Sequence, residues 1–393
     1  MYLRLLLFAV IAGDIFVHSQ LSVLSGLEDA ALTYTGLAAK YGHPATTYKV
    51  TTEDGYILTL FRHPGNTSRP VLLVHGNTPT SDCFIDRGKG SLAITLAGLG
   101  YDVWAINIRG TRYSRSHVTL NPDTQPKQFF NYSFYEEAVY DLSATIDRVL
   151  TETAQKKLTV VSHSVGTTLL YVLGSEKPEY NDKINVGISL APIAFLKNVR
   201  GYAGIILPYL LEITSLFADL GIEEVFSYEK TGTLLRLICD AQPFGYEVCV
   251  KIVLFGALGV DSNGFEMAYT PTFFGHYPGG STRKIFQHLG QVYKRDKFAN
   301  FDYGEDKNLQ LYGTSEPPDF DLSKVTMKTA LFVGEEDYLG TVKDAERLNQ
   351  SLPNVVYYQV MPYKNFSHTD FVWGRQMAQN LFPYLLPVID KYT

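Results

Sequence analysis

The sequence has no excess of positive charge. Its 34 Lys and Arg stand against 40 Asp and Glu, a net charge of −6, which excludes the basic field that a nucleic-acid surface requires. It has no internal repeat and no low-complexity tract, which argues against repeat architectures and disordered segments. No stretch after the N-terminus reads as long enough to cross a bilayer. The most apolar runs, around Ile205–Leu211 and Ile252–Val260, are bounded by Glu212, Lys251 and Asp261. Cysteine is scarce: Cys83, Cys239 and Cys249 are the only three.

What is present begins with an N-terminal leader. Arg4 supplies a positive charge, Leu5–Gly13 form a short apolar run, and Val17 and Ser19 occupy the small-residue positions before Gln20. This pattern predicts a signal peptide over residues 1–19 and a secreted or lysosomal destination for a glycoprotein. In that oxidising route Cys239 and Cys249, ten positions apart, can bridge and stabilise the fold by roughly 2–3 kcal/mol, leaving Cys83 as a buried thiol. Four N-x-S/T sequons, at Asn66, Asn131, Asn349 and Asn365, are candidate glycosylation sites.

The order of elements predicts the fold class. Tyr48–Arg62 reads as a hairpin about Asp54-Gly55, a favoured tight-turn pair. Short apolar runs at Val71–Val74, Val103–Ile108, Leu158–Val161, Ile184–Leu190, Lys328–Val333 and Val355–Val360 have the character of buried parallel strands. Helical segments lie between them. The clearest opens on a Ser133/Glu136 capping box and repeats Phe134, Ala138, Leu142 and Ile146 along one face. A last helical stretch is expected from about Gln376 to Asp390. Strand–helix alternation predicts an α/β fold with a mainly parallel, doubly wound sheet. Residues 195–322 break the alternation. They are apolar, aromatic and rich in Gly and Pro, with Ile206, Leu210, Ile213 and Phe217 at helical spacing. Position points to a mostly helical cap, or lid, inserted into a core of residues 20–194 and 323–393.

The chemistry centres on Ser162-His163-Ser164-Val165-Gly166, where an apolar strand runs straight into a helix. A sharp turn at that junction lifts a serine hydroxyl above the sheet, and the helix N-terminus behind it favours an oxyanion. The strict G-x-S-x-G pattern is not met, because Ser162 replaces the first glycine. A serine hydroxyl needs a base, and the base needs an orienting acid. With partners in the order Ser, acid, His, the acid is expected in the segment ending at Asp337, with Glu335, Glu336 and Asp344 as competitors. The base is expected at His368, the only histidine after His288. The second oxyanion N–H is expected in the loop after Val71–Val74, at Asn77, beside that of Val165.

These segments resemble the acid lipase family of gastric and lysosomal lipases, members of the α/β-hydrolase superfamily. The resemblance is carried by Tyr41-Gly42-His43-Pro44, Thr52–Leu58, His75-Gly76, Gly100–Trp104, Arg109-Gly110, Tyr140–Asp147, His163-Ser164 with Gly166–Thr168, and His368–Gly374. It implies an α/β-hydrolase fold and a lipid ester substrate such as a triacylglycerol or sterol ester. By motif position it implies Ser164 as nucleophile, Asp337 as acid, His368 as base and a Cys239–Cys249 bridge. Neither a metal nor an organic cofactor is called for, and a lipid droplet or micelle surface is the expected partner. The chain departs from the family at Ser162 (usually Gly), Val165 (usually Gln) and Asn77 (usually Leu). These departures bear on substrate range: a carboxylesterase acting on soluble short esters is one alternative, and a non-catalytic lipid-binding protein of the same fold is another.

Overall fold

The computed structural model describes residues 26–393; the expected signal peptide, residues 1–19, lies outside them. The strands are β1 (Thr46–Thr51), β2 (Ile57–His63), β3 (Asn66–Val74), β4 (Tyr101–Asn107), β5 (Leu158–His163), β6 (Ile184–Leu190), β7 (Glu224–Val225), β8 (Ser281–Thr282), β9 (Thr329–Val333) and β10 (Val355–Val360). Eight of them form one sheet in the order β1-β2-β4-β3-β5-β6-β9-β10. The β1–β2 hairpin and the β2–β4 pair are antiparallel; every pairing from β4 across to β10 is parallel.

The hairpin turns where Gly55 takes φ +95°, a backbone conformation closed to most side chains. All residues of β4, β5 and β9 are buried. Helices cover both faces of these central strands, so they appear as unbroken apolar runs rather than alternating ones. The helix opened by Ser133 carries the expected capping box, with the Ser133 amide donating to Glu136 at 2.7 Å. One feature was not expected there: Glu137–Leu142 forms a π-helical turn before the α-helix Ser143–Thr153 resumes. Phe134, Ala138, Leu142 and Ile146 still share one fully buried face. The wider turn also sends Glu137 and Asp141 into the interior.

Between β6 and β9, neighbours in the sheet, the chain leaves to form several helices and the small β7–β8 ribbon. The Cys239–Cys249 disulfide joins two of those helical segments, and Cys83 is a buried free thiol in the core. One helical stretch there, Gly201–Asp219, runs for 19 residues at a mean hydropathy of 1.4. By length and composition it is sufficient to span a membrane, contrary to the reading that ended the apolar run at Glu212. The helix continues through Glu212, and its Ile206, Leu210, Ile213 and Phe217 line a cavity.

Candidate active site

β5 ends at His163, and the helix Val165–Glu176 begins two residues later. Ser164 makes the turn between them at φ +55°, ψ −128°. Such a backbone costs a non-glycine residue about 1–3 kcal/mol, and it is held by neighbours on every side. The Ser164 amide donates to the Leu190 carbonyl at 3.0 Å, and the Thr167 hydroxyl and amide donate to the Ser164 carbonyl at 2.7 and 2.8 Å. Gly76 and Gly166 provide the room. A β-carbon at Gly76 would stand 2.9 Å from Cβ of Ser164. Ser162, where a glycine is usual, is accommodated: its hydroxyl donates to the Ile188 carbonyl at 3.1 Å in a fully buried position.

The Ser164 hydroxyl donates to Nε2 of His368 at 2.9 Å, and Nδ1 of His368 donates to the Asp337 carboxylate at 2.9 and 3.0 Å. All three residues are buried. The Asp337 carboxylate also accepts the Leu339 and Gly340 amides at 2.8 Å each, hydrogen bonds that fix its orientation toward the histidine. Of its competitors, Glu335 is exposed, Glu336 lies 3.9 Å from Arg200, and Asp344 is bonded to Asn198. Only Asp337 reaches the histidine.

His368 sits on a short turn that Asp370 fastens by accepting the Ser367 amide and hydroxyl, both at 2.7 Å. Burial, reinforced by the Asp261 carboxylate nearby, raises Asp370 to about 7. His163 donates from Nε2 to the His368 carbonyl at 3.1 Å. Burial holds His163 well below the usual imidazole value, so it is neutral. Neither supporting residue was identified from the sequence. The S-x-x-D capping pattern at Ser367–Asp370 was a visible signal for one of them; the His163 contact joins residues far apart in the chain and left none.

Val165 is the first residue of its helix, so its N–H has no intrahelical acceptor. Asn77 lies in the loop after β3, and its side-chain Oδ1 accepts the Ser281 hydroxyl at 2.5 Å. Both face a cavity of about 440 Å³ that reaches Ser164 and His368. Its walls are apolar, built by Leu207, Leu210, Phe217, Phe226, Phe286 and their neighbours. Among the described residues of that wall the only Arg, Lys, Asp or Glu is Arg283, which is paired with Glu223 at 2.9 Å. The arrangement joins a base-linked hydroxyl to a greasy chamber, which suits acyl transfer from an apolar ester. No cluster of His, Cys, Asp and Glu suited to a metal ion occurs among the described residues. Of the sequons, Asn66, Asn131 and Asn365 are exposed and Asn349 is half-buried in the helix Val342–Ser351. The Asn131 side chain accepts from Lys284 at 3.1 Å.

Comparison with known proteins follows the same lines. Residues 69–209 match the alpha/beta hydrolase fold family, and residues 34–88 match the partial alpha/beta-hydrolase lipase region. The chain is 38% identical to Lipase 1 of Drosophila melanogaster, over 93% of this chain and 81% of that protein. It is 32% identical to gastric triacylglycerol lipase of Bos taurus, over 92% of each. Among solved structures, an esterase from Exiguobacterium antarcticum superposes with a TM-score of 0.54 at 14% identity, covering 88% of this chain and all of that one. A soluble variant of monoglyceride lipase from Saccharomyces cerevisiae gives 0.53 at 16%, covering 88% and 96%. At such identities the two structures speak for the fold alone.

Proposed function

This chain belongs to the acid lipase family of α/β-hydrolases and is a carboxylic ester hydrolase, and from that premise we propose that it cleaves lipid esters through an acyl-enzyme on Ser164. His368 Nε2 takes the Ser164 proton as Oγ attacks the ester carbonyl. The imidazolium then gives that proton to the departing alcohol, and Asp337 holds the Nδ1–H tautomer throughout. The Asn77 and Val165 amides receive the negative oxygen of the tetrahedral intermediate. Water, deprotonated by His368, attacks the acyl-enzyme and releases the fatty acid. No step calls on a metal or an organic cofactor.

The observation that carries this reading is the line of hydrogen bonds from Ser164 through His368 to Asp337. The apolar 440 Å³ cavity supports long acyl chains, and the name of the bovine relative supports triacylglycerol as a substrate; sterol esters suit the same chamber. In this reading residues 195–322 act as a cap over a core of residues 20–194 and 323–393. Ile205, Tyr209, Leu216, Leu220, Leu234 and Leu237 expose large apolar side chains on that cap. Together they offer a face for a lipid droplet or micelle. Residues 1–19 would direct the chain into the secretory route, towards an extracellular or lysosomal site, with glycans at the exposed sequons.

The test is Ser164→Ala against wild type on soluble and emulsified esters, with labelling by a fluorophosphonate. Loss of both hydrolysis and labelling in a folded variant is expected. Hydrolysis at the wild-type rate by the alanine variant would overturn the assignment.

A further inference from the structure

Behind the oxyanion loop lies a second, much smaller cavity of about 10 Å³, room for a single water. Gly76, Asn77, Thr78 and Val165 line both this cavity and the substrate chamber. The segment that presents the oxyanion donors is therefore a thin partition with substrate on one side and this space on the other. The partition is strained, since Thr78, a β-branched residue, sits at φ +78°. It is braced from the cap, where the Gly279 amide donates to the Thr78 carbonyl at 2.6 Å and the Ser281 hydroxyl to Asn77.

The rear wall carries a carboxyl group. Glu137, brought inward by the π-helical turn, is 5% exposed. Among the described residues its carboxyl bonds to no protein group, although the polar side chains around it are committed elsewhere. The Arg109 guanidinium serves Asp54 and Asp141, and the Thr111 hydroxyl serves the Ile108 carbonyl. His75 uses both ring nitrogens, on the Gly76 carbonyl and the Ile108 amide. A buried carboxyl without a partner is costly, and a water in the adjoining space would satisfy it. Burial, with Asp141 adding to it, raises Glu137 well above the usual carboxyl range. The group therefore offers both a donor and an acceptor.

We propose that Glu137 is a positioning residue for the oxyanion hole, acting through one water held between its carboxyl group and the backbone of the 75–78 loop. The inference rests on the Ser164 mechanism above. Among the described residues Glu137 has no hydrogen bond to Ser164 or His368, and its effect is to keep the Asn77 and Val165 amides aimed at the developing oxyanion. Such aim matters only when the charge develops, so its loss falls on kcat rather than KM.

The experiment compares full-length wild type with Glu137→Met, Glu137→Gln and Ser164→Ala on p-nitrophenyl butyrate. It also follows the rate of inactivation by a phosphonate, whose adduct places an oxygen in the same hole. Glu137→Met is expected to lower kcat tenfold or more, with KM within twofold and no fall in Tm, and to slow inactivation in parallel. Glu137→Gln keeps a donor and an acceptor for the water and is expected to retain at least half of kcat. Should the Met variant fail to fold, Glu137→Ala replaces it with the same expectation. An apolar variant at wild-type kcat, or a Gln variant as impaired as the apolar one, would overturn the proposal. An active Ser164→Ala protein would instead bring down the mechanism on which it rests.

Discussion

Gly166 packs so closely beneath His75 that a β-carbon on it would lie 2.6 Å from the His75 carbonyl oxygen. The Val74 carbonyl would be 2.7 Å away, so the obstacle is backbone at the end of β3 rather than a side chain that could swing aside. An alanine at 166 must push the Ser164 helix off that strand, and with it the Val165 amide. We expect Gly166→Ala to lower kcat at least tenfold on a soluble ester and to reduce Tm by several degrees. Steady-state kinetics and calorimetry check both; an unchanged kcat would mean that the approach is not needed for catalysis.

Asp337 holds His368 by two contacts while its Oδ1 also accepts two backbone amides. An asparagine there keeps the shape but turns one atom into a donor, which favours the wrong imidazole tautomer. Asp337→Asn should lower kcat by about 10⁴-fold with the fold retained. Glu335→Gln and Glu336→Gln should stay within twofold, since neither carboxylate reaches the histidine. A larger loss in either glutamine variant would reopen the choice of acid.

How much of this was legible beforehand divides along chain distance. The parallel strands, the hairpin at Gly55 and the Ser133 capping box are local patterns, and they stand within a residue or two of their expected places, except that β3 begins at Asn66, well before the apolar run at Val71. Ser164 was legible because strand, turn and helix are contiguous. The acid was harder: the order of triad partners placed it only in the segment around Asp337, and the family resemblance chose among four carboxylates. Glu137, the Asn77–Ser281 bond and the Asp261–Asp370 pair left no trace, because each depends on groups that meet only when the sheet and the 195–322 segment pack. The π-helical turn was hidden too, since a fourth-residue apolar repeat fits both an α-helix and its wider relative.

Asp86 carries a pH prediction. Burial raises its carboxyl to about 7, with Asp82 adding to the effect and His276 opposing it, while Trp373 Nε1 donates to it at 3.1 Å. A carboxyl raised above its ordinary 3.8 stabilises the fold fully below that value, and the contribution is lost as pH rises through about 7. The slope is roughly 1.4 kcal/mol per pH unit for one proton. His63 and His75, lowered by burial to about 4, give the opposite slope at the acid end, so the useful quantity is a difference between proteins. Denaturant unfolding of wild type and Asp86→Asn from pH 4 to 7 should show the variant losing less stability on going up in pH. Parallel curves would refute a protonated Asp86.

The last prediction concerns two exposed aliphatic side chains of the 195–322 segment. Ile205 is 65% exposed and Leu237 is 79% exposed, and neither lines the substrate chamber. Two large aliphatic side chains left in water stabilise nothing in the isolated protein, but each contributes about 1.5–3 kcal/mol when buried in a lipid phase. Replacing both with glutamate removes that gain and places negative charge against the lipid, while the Ser164 centre is untouched. Ile205→Glu with Leu237→Glu should therefore lower the rate on an emulsified long-chain triacylglycerol at least fivefold. It should leave the rate on a dissolved butyrate ester within twofold. Equal loss on both substrates would show that the two residues support the cap itself, and equal retention would show that lipid meets the enzyme at some other face.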